Sequence, residues 1–122
     1  MIKIACLLHD TIEDTDTSEK ILERKFGAEV SDIVYRVSNE RGRDRKERNF
    51  KTYPKIWRSD FAIFVKLADR IANTTNSKNT GHSMYKKYQK EYYIFRYALK
   101  VRGLYPEMWR ELDALNEFKE IK

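Results

Sequence analysis

The sequence predicts an all-α fold, and three observations carry that expectation. Apolar residues recur at steps of three and four rather than in alternation, and only four Gly and two Pro interrupt 122 residues. Aromatic residues reach 13%, far too many for a disordered chain even with 36% charged residues. At this length one domain, residues 1–122, is expected, large enough to bury one core without staples. The single cysteine, Cys6, excludes an intramolecular disulfide and a multi-cysteine zinc site.

Each element has its own local reason. Residues 2–9 begin with an apolar face already running and read as a helix. The stretch from Asp14 to Ser18 is rich in helix-starting residues, so a second helix is expected over 19–26, stopped by Gly27. A third, over 28–38, places Val30, Ile33, Val34 and Val37 on one stripe. Residues 39–51 break the pattern. Six basic residues and two acids fall between Arg41 and Lys51, which predicts an exposed loop or helix entrance. Pro54 suits a first helical turn. A central buried helix is expected over 60–74 with Phe61, Val65, Ala68 and Ala72 inward, followed by a polar loop over 73–81. Tyr85, Tyr88, Tyr92, Phe95 and Leu99 then form a core stripe on a helix over 83–102, ended by Gly103. Pro106 opens a last amphipathic helix carrying Met108, Trp109, Leu112, Leu115 and Phe118.

A formal charge of +6 favours polyanionic partners: nucleotides, nucleic acid or acidic protein surfaces. No run approaches the roughly 18 apolar residues of a membrane span, and the start is too short and poorly flanked for a signal peptide. A cytoplasmic protein without a membrane partner is expected.

Chemistry concentrates in two places. In Leu7-Leu8-His9-Asp10-Thr11-Ile12-Glu13-Asp14 an apolar helix runs into an imidazole and three carboxylates. Helical spacing would put Asp10, Glu13 and Asp14 on one face, where they repel unless a divalent cation or a proton relieves them. His9 and Asp10 are ligand types that Mn²⁺, Fe²⁺ or Zn²⁺ accepts, leaving Glu13 and Asp14 to orient or deprotonate an attacking water. The plain alternative is that His9 caps one helix end and the acids cap the next start. The second place is Val65-Lys66-Leu67-Ala68-Asp69-Arg70-Ile71-Ala72-Asn73, an apolar helix interrupted by an Asp and an Arg. Asp69, Asn73 and Asn76 fall on one face and could add a ligand with amides beside it. Here the alternative is a buried Asp69 paired with Arg70 or another Arg.

Together, "LLHDxxED" and the later "VKLADRxxN" strongly resemble the HD-domain metal-dependent phosphohydrolases. They are most similar to the guanosine tetraphosphate and pentaphosphate hydrolases of the RelA/SpoT family and their small single-domain relatives. The resemblance extends to Phe26–Val30, to Arg45 with Thr52-Tyr53-Pro54, to Met84–Tyr88 through Phe95, and to Met108-Trp109 with Leu112-Asp113, nearly the whole chain. It implies a helical HD bundle with His9, Asp10 and Asp69 as ligands of one metal, usually Mn²⁺. Glu13 and Asp14 would activate the water, and Asn73 would contact the nucleotide. Asn76 stands where many members have Thr. The implied reaction is hydrolysis of an alarmone's 3′-diphosphate, releasing pyrophosphate and leaving GDP or GTP. Beside such a site Arg45, Lys46 and Arg48 would serve as a phosphate clamp, Arg being suited to bidentate contacts.

The family has a further histidine ligand upstream of His9, and no residue precedes Met1 here. Two outcomes then compete: water or His82 fills that position, or the metal is lost, and a histidine in such a loop more often caps a helix than ligates. Ile2, Ala5 and Cys6 would leave an apolar strip that a second copy of the chain could cover. Cys6 reads as inert core, and Trp57, Trp109 and the tyrosine stripe as core and helix contacts rather than base-stacking platforms. Three functional classes follow: a small hydrolase of phosphorylated nucleotides, a degenerate HD domain that binds a nucleotide or protein without turnover, and nucleic-acid binding. The last ranks lowest, because no zinc-finger spacing or RNA-recognition motif occurs.

Overall fold

The computed structural model describes residues 27–119. The helices expected over 2–9 and 19–26, with Cys6, His9, Asp10, Glu13 and Asp14, lie outside the described residues. Those that are described form five α-helices and no strand: α1 Ala28–Val37, α2 Arg45–Trp57, α3 Asp60–Thr80, α4 Met84–Leu99 and α5 Pro106–Leu115. The all-α expectation holds. The chain divides into two compact units, Met1–Lys66 and Leu67–Lys122, with α3 running through the division.

In the first unit α1 buries Val30, Ile33, Val34 and Val37, the stripe its spacing predicts. Each such side chain contributes about 1.5–3 kcal/mol relative to an exposed one. α1 packs against α2, which buries Tyr53 and Ile56. Polar ties fix the pair. Arg36 Nη1 donates to the Lys55 carbonyl at 3.0 Å near the end of α2, while Lys55 Nζ reaches the Tyr35 carbonyl and Glu40 Oε1, each at 2.9 Å. Thr52 Oγ1 donates to the Arg48 carbonyl at 2.6 Å and accepts from Glu40 N at 2.9 Å, so the loop after α1 is pinned to α2.

Three expectations are corrected in this unit. Pro54 is not in a first turn but inside α2. Its ring lies on the exposed side of the helix, where the carbonyl of Phe50, deprived of a helical N–H, is least costly. Trp57 is 54% exposed rather than a core contact, and Phe61 is 48% exposed although the spacing placed it inward.

The start of α3 is set by Ser59, whose Oγ accepts from Ala62 N at 3.2 Å. Its buried residues include Ile63, Leu67, Arg70, Thr74 and Ser77, at steps of four and three. Val65 is buried as expected, whereas Ala68 is half-buried and Ala72 exposed. The helix therefore presents a different face from the one its apolar residues suggested. It also continues to Thr80, so most of the stretch expected to be a loop over 73–81 is helical. The stop is Gly81, at φ 69°, with His82 N donating back to the Ser77 carbonyl at 2.9 Å. This closing arrangement needs a left-handed residue, and glycine adopts it without a Cβ penalty.

In the second unit α4 buries Tyr92, Phe95 and Leu99 and keeps Tyr85 and Tyr88 half-buried, as its stripe predicts. α4 ends at Leu99 and α5 at Leu115, both short of expectation. Trp109 and Leu112 of α5 are buried, with the Trp109 ring 5.8 Å from Phe95. Phe118 lies beyond the helix rather than in it. Glu117 takes a left-handed φ of 54°, Phe118 N donates to the Asp113 carbonyl at 2.8 Å, and the Phe118 ring folds back 5.5 Å from Tyr92. Asp113 joins α4 to α5, accepting from the Tyr92 hydroxyl and from Arg96 Nε at 3.1 Å. Burial first, and then Asp113, hold the Tyr92 pKa above its ordinary value, so the hydroxyl stays a donor.

Candidate functional site

α3 carries the described candidates of the acidic cluster. Asp69 is half-buried and accepts from Asn73 Nδ2 at 3.3 Å, one turn later, while Asn73 and Asn76 are exposed. The spacing argument is met for these three because α3 does not stop at residue 74. Asn76 also gives its carbonyl to Thr80 Oγ1 at 2.8 Å. A carboxylate held by a neighbouring amide on an accessible helix face can accept a cation or a donor from a ligand.

Arg70 does not take the role that the plain alternative assigned to it. Its guanidinium is 3% exposed and turns to Glu91 of α4, with Nη1 3.4 Å from Oε1. The same group lies 4.8 Å from the Tyr88 ring centre and 4.4 Å from that of Phe95. Sequence reasoning missed this pair. The available signal was Glu91 itself, an acid at steps of three and four between Tyr88 and Phe95 on an apolar stripe.

The basic segment is ordered by its own acids. Asp44 caps α2, its Oδ1 accepting from Glu47 N at 2.9 Å. Glu47 in turn takes Arg43 Nε at 2.7 Å and Lys51 Nζ at 3.1 Å. The Arg43 hydrogen bond, then that of Lys51, holds the Glu47 carboxyl below its usual range. Gly42 sits close against this turn, since a Cβ there would meet Arg48 N at 3.0 Å. Arg45, Lys46 and Arg48 therefore stand on the first turn of a helix rather than in a loop, Lys46 exposed and the other two half-buried. The cap matters because it fixes the direction in which three cations leave the backbone.

His82 is an N-terminal cap of α4, its Nδ1 accepting from Met84 N at 3.1 Å. Among the described residues no group of three His, Cys, Asp or Glu side chains gathers as a metal site, and no helix is long and apolar enough to cross a membrane. The remaining site candidates, His9, Asp10, Glu13 and Asp14, fall outside the described residues.

Comparison with known proteins finds similarity to named hydrolases. It is 31% identical over 117 residues to the mouse guanosine-3′,5′-bis(diphosphate) 3′-pyrophosphohydrolase MESH1, covering 95% of this chain and 65% of that protein. It is 27% identical over 118 residues to the Drosophila melanogaster MESH1, covering 93% and 66%. A Haemophilus influenzae guanosine-3′,5′-bis(diphosphate) 3′-pyrophosphohydrolase is 39% identical over 77 residues, 57% of this chain and 11% of that protein. The chain thus spans somewhat less than two thirds of the length of the two animal proteins. No family model and no solved structure matches it.

Proposed function

We propose that the chain, which is similar to guanosine-3′,5′-bis(diphosphate) 3′-pyrophosphohydrolases, hydrolyses the 3′-diphosphate of guanosine tetraphosphate or pentaphosphate. Water adds to the phosphorus next to the ribose, the bond from that phosphorus to the 3′-oxygen breaks, the 3′-oxygen takes up a proton, and pyrophosphate leaves GDP or GTP behind. The observation that carries the reading is the Asp69–Asn73 pair on the accessible face of α3, within the segment that resembles the second family motif.

In this reading His9, Asp10 and Asp69 hold one divalent cation, Mn²⁺ being the choice, since an imidazole and two carboxylates form a donor set that such an ion accepts. The bound cation would supply charge neutralisation and lower the pKa of water. Glu13 and Asp14 orient the attacking water and receive its proton. Asn73 donates to the nucleotide, with Asn76 one turn on. Arg45, Lys46 and Arg48 meet the phosphates, and the protein acts in the cytoplasm on a soluble guanine nucleotide.

The test is pyrophosphate release from guanosine tetraphosphate with Mn²⁺, comparing the parent with Glu13→Gln and Asp14→Asn. Turnover in the parent and its loss in both variants, with helical circular dichroism unchanged, is expected. No release by the parent at any Mn²⁺ concentration, alongside tight nucleotide binding, would establish a binding domain without catalysis.

A second expected result separates clamp from solvated surface. Arg45→Glu should raise KM for the tetraphosphate about tenfold to a hundredfold, the value of a charge-assisted hydrogen bond of about 1.5–3 kcal/mol. KM for a phosphate monoester should stay unchanged. Equal effects on both substrates would remove Arg45 from the site.

A further inference from the structure

The outer face of α4 has no role in the reading above. Tyr97 is 92% exposed, Ile94 56% and Tyr93 53%, although large apolar side chains are costly to leave in water on a helix whose other face buries Tyr92, Phe95 and Leu99. Lys86, Lys87 and Lys90 are exposed on the same side. The one acid of α4, Glu91, turns away to the buried Arg70, so this face carries cations and no carboxylate. Tyr93 is also braced, its ring 4.9 Å from Phe118, which lowers the entropy lost when it is covered.

The order of these residues is specific. Lys86, Lys90, Tyr93 and Tyr97 follow at steps of four, three and four, the seam along which one helix meets another. A parallel copy would set Lys on Lys and Tyr on Tyr. An antiparallel copy does the opposite, because a two-fold axis midway along the seam sets Lys86 opposite the partner's Tyr97 and Lys90 opposite the partner's Tyr93. Every layer then joins an ammonium to an aromatic face, and Ile94 flanks the seam. Such pairs are favourable. This chain already uses them internally, with Lys55 4.2 Å from the Tyr35 ring centre and Arg96 4.6 Å from that of Phe118.

We infer that the exposed face of α4 is a self-complementary docking surface through which two copies of this chain associate, antiparallel, as a symmetric dimer. The contact is isologous, so it closes at two and builds no filament. One helix from each partner makes a small interface, which sets the expected affinity in the micromolar range or weaker. Both partners are cationic, so salt screens their repulsion, and association should hold or strengthen from ~50 to ~200 mM salt. A phosphate-bound complex would weaken steeply over that range.

Sedimentation equilibrium of the full chain across micromolar to submillimolar concentrations tests it. A concentration-dependent monomer–dimer equilibrium is expected. Tyr97→Lys should weaken it at least about tenfold by placing Lys against Lys. Lys86→Tyr combined with Tyr97→Lys should restore it, because each layer again holds one Lys and one Tyr. Circular dichroism of both variants should match the parent, since both sites are exposed. A monomer at every concentration overturns the proposal, as does a dimer indifferent to Tyr97→Lys or a double variant no better than the single one. A monomer that captures a single-stranded oligonucleotide or an acidic peptide through this face overturns it equally.

Discussion

Asp69→Asn is expected to lower Mn²⁺-dependent pyrophosphate release at least about a hundredfold while leaving the melting temperature nearly unchanged. Even the outer hydrogen-bond partners of a metal ligand change affinity or activity by roughly 10- to 100-fold when removed, so the loss of a carboxylate proposed as a ligand should exceed that. The fold should not notice. Asp69 is half-buried and lies off the row of Ile63, Leu67, Arg70, Thr74 and Ser77, one turn from Val65 and Lys66, which are buried too. An amide at position 69 has the same shape and still accepts from Asn73 Nδ2, now 3.3 Å away. What disappears is the negative charge. Metal content measured by elemental analysis should fall with turnover. Full activity with full metal content in this variant would take Asp69 out of the site and the family-derived ligand set with it.

Much of this was legible in the residues because two kinds of signal are strong. Tyr85, Tyr88, Tyr92, Phe95 and Leu99 are large and apolar, so their spacing alone names the buried face of α4. Asp69 and Asn73 are polar within an apolar run, and helical geometry puts them one turn apart whatever surrounds them. Where the reading failed, small polar residues were doing the work of apolar ones. Thr74 and Ser77 continue the inward row of α3. Since Thr74 Oγ1 has no hydrogen-bond partner among the described residues, nothing in its chemistry advertises burial. The polar run after Asn73 consequently reads as a loop, although Gly81 marks the true stop.

The start of α2 was legible only as one of two readings, an exposed loop or a helix entrance, and it is the second that forms. Six cations in the segment from Arg41 to Lys51 suggest solvent, yet Asp44 and Glu47 are spaced as cap and third helical residue, and that is the bond they make. Phe61 and Trp57 fail for the opposite reason. Size and apolarity predict burial on average, but the packed face of each helix is chosen by its neighbours, and a spacing compatible with two faces does not say which one wins.

The buried pair of Arg70 and Glu91 sets the other large effect. Removing one partner of a buried ion pair costs about 3–5 kcal/mol, because the remaining charge stays out of water uncompensated. Arg70 is 3% exposed and cannot reach solvent without opening the contact between α3 and α4. The Tyr88 and Phe95 rings offset part of the loss, each cation–π contact being worth about 0.5–2 kcal/mol. Glu91→Ala should therefore cost about 2–4 kcal/mol, a large share of the roughly 5–15 kcal/mol that holds a domain together. The converse change is milder. Glu91 is 19% exposed and can be hydrated once Arg70→Met has taken the cation away. Replacing both, Arg70→Met with Glu91→Leu, should recover most of the parent's stability, since apolar side chains of similar volume often match a buried pair. Urea denaturation of the parent, Arg70→Met, Glu91→Leu and the double variant measures this cycle, with Glu91→Ala followed beside them. A loss below about 1 kcal/mol for Glu91→Ala, or a double variant as unstable as the single one, would mean that the rings rather than the carboxylate hold Arg70 in place.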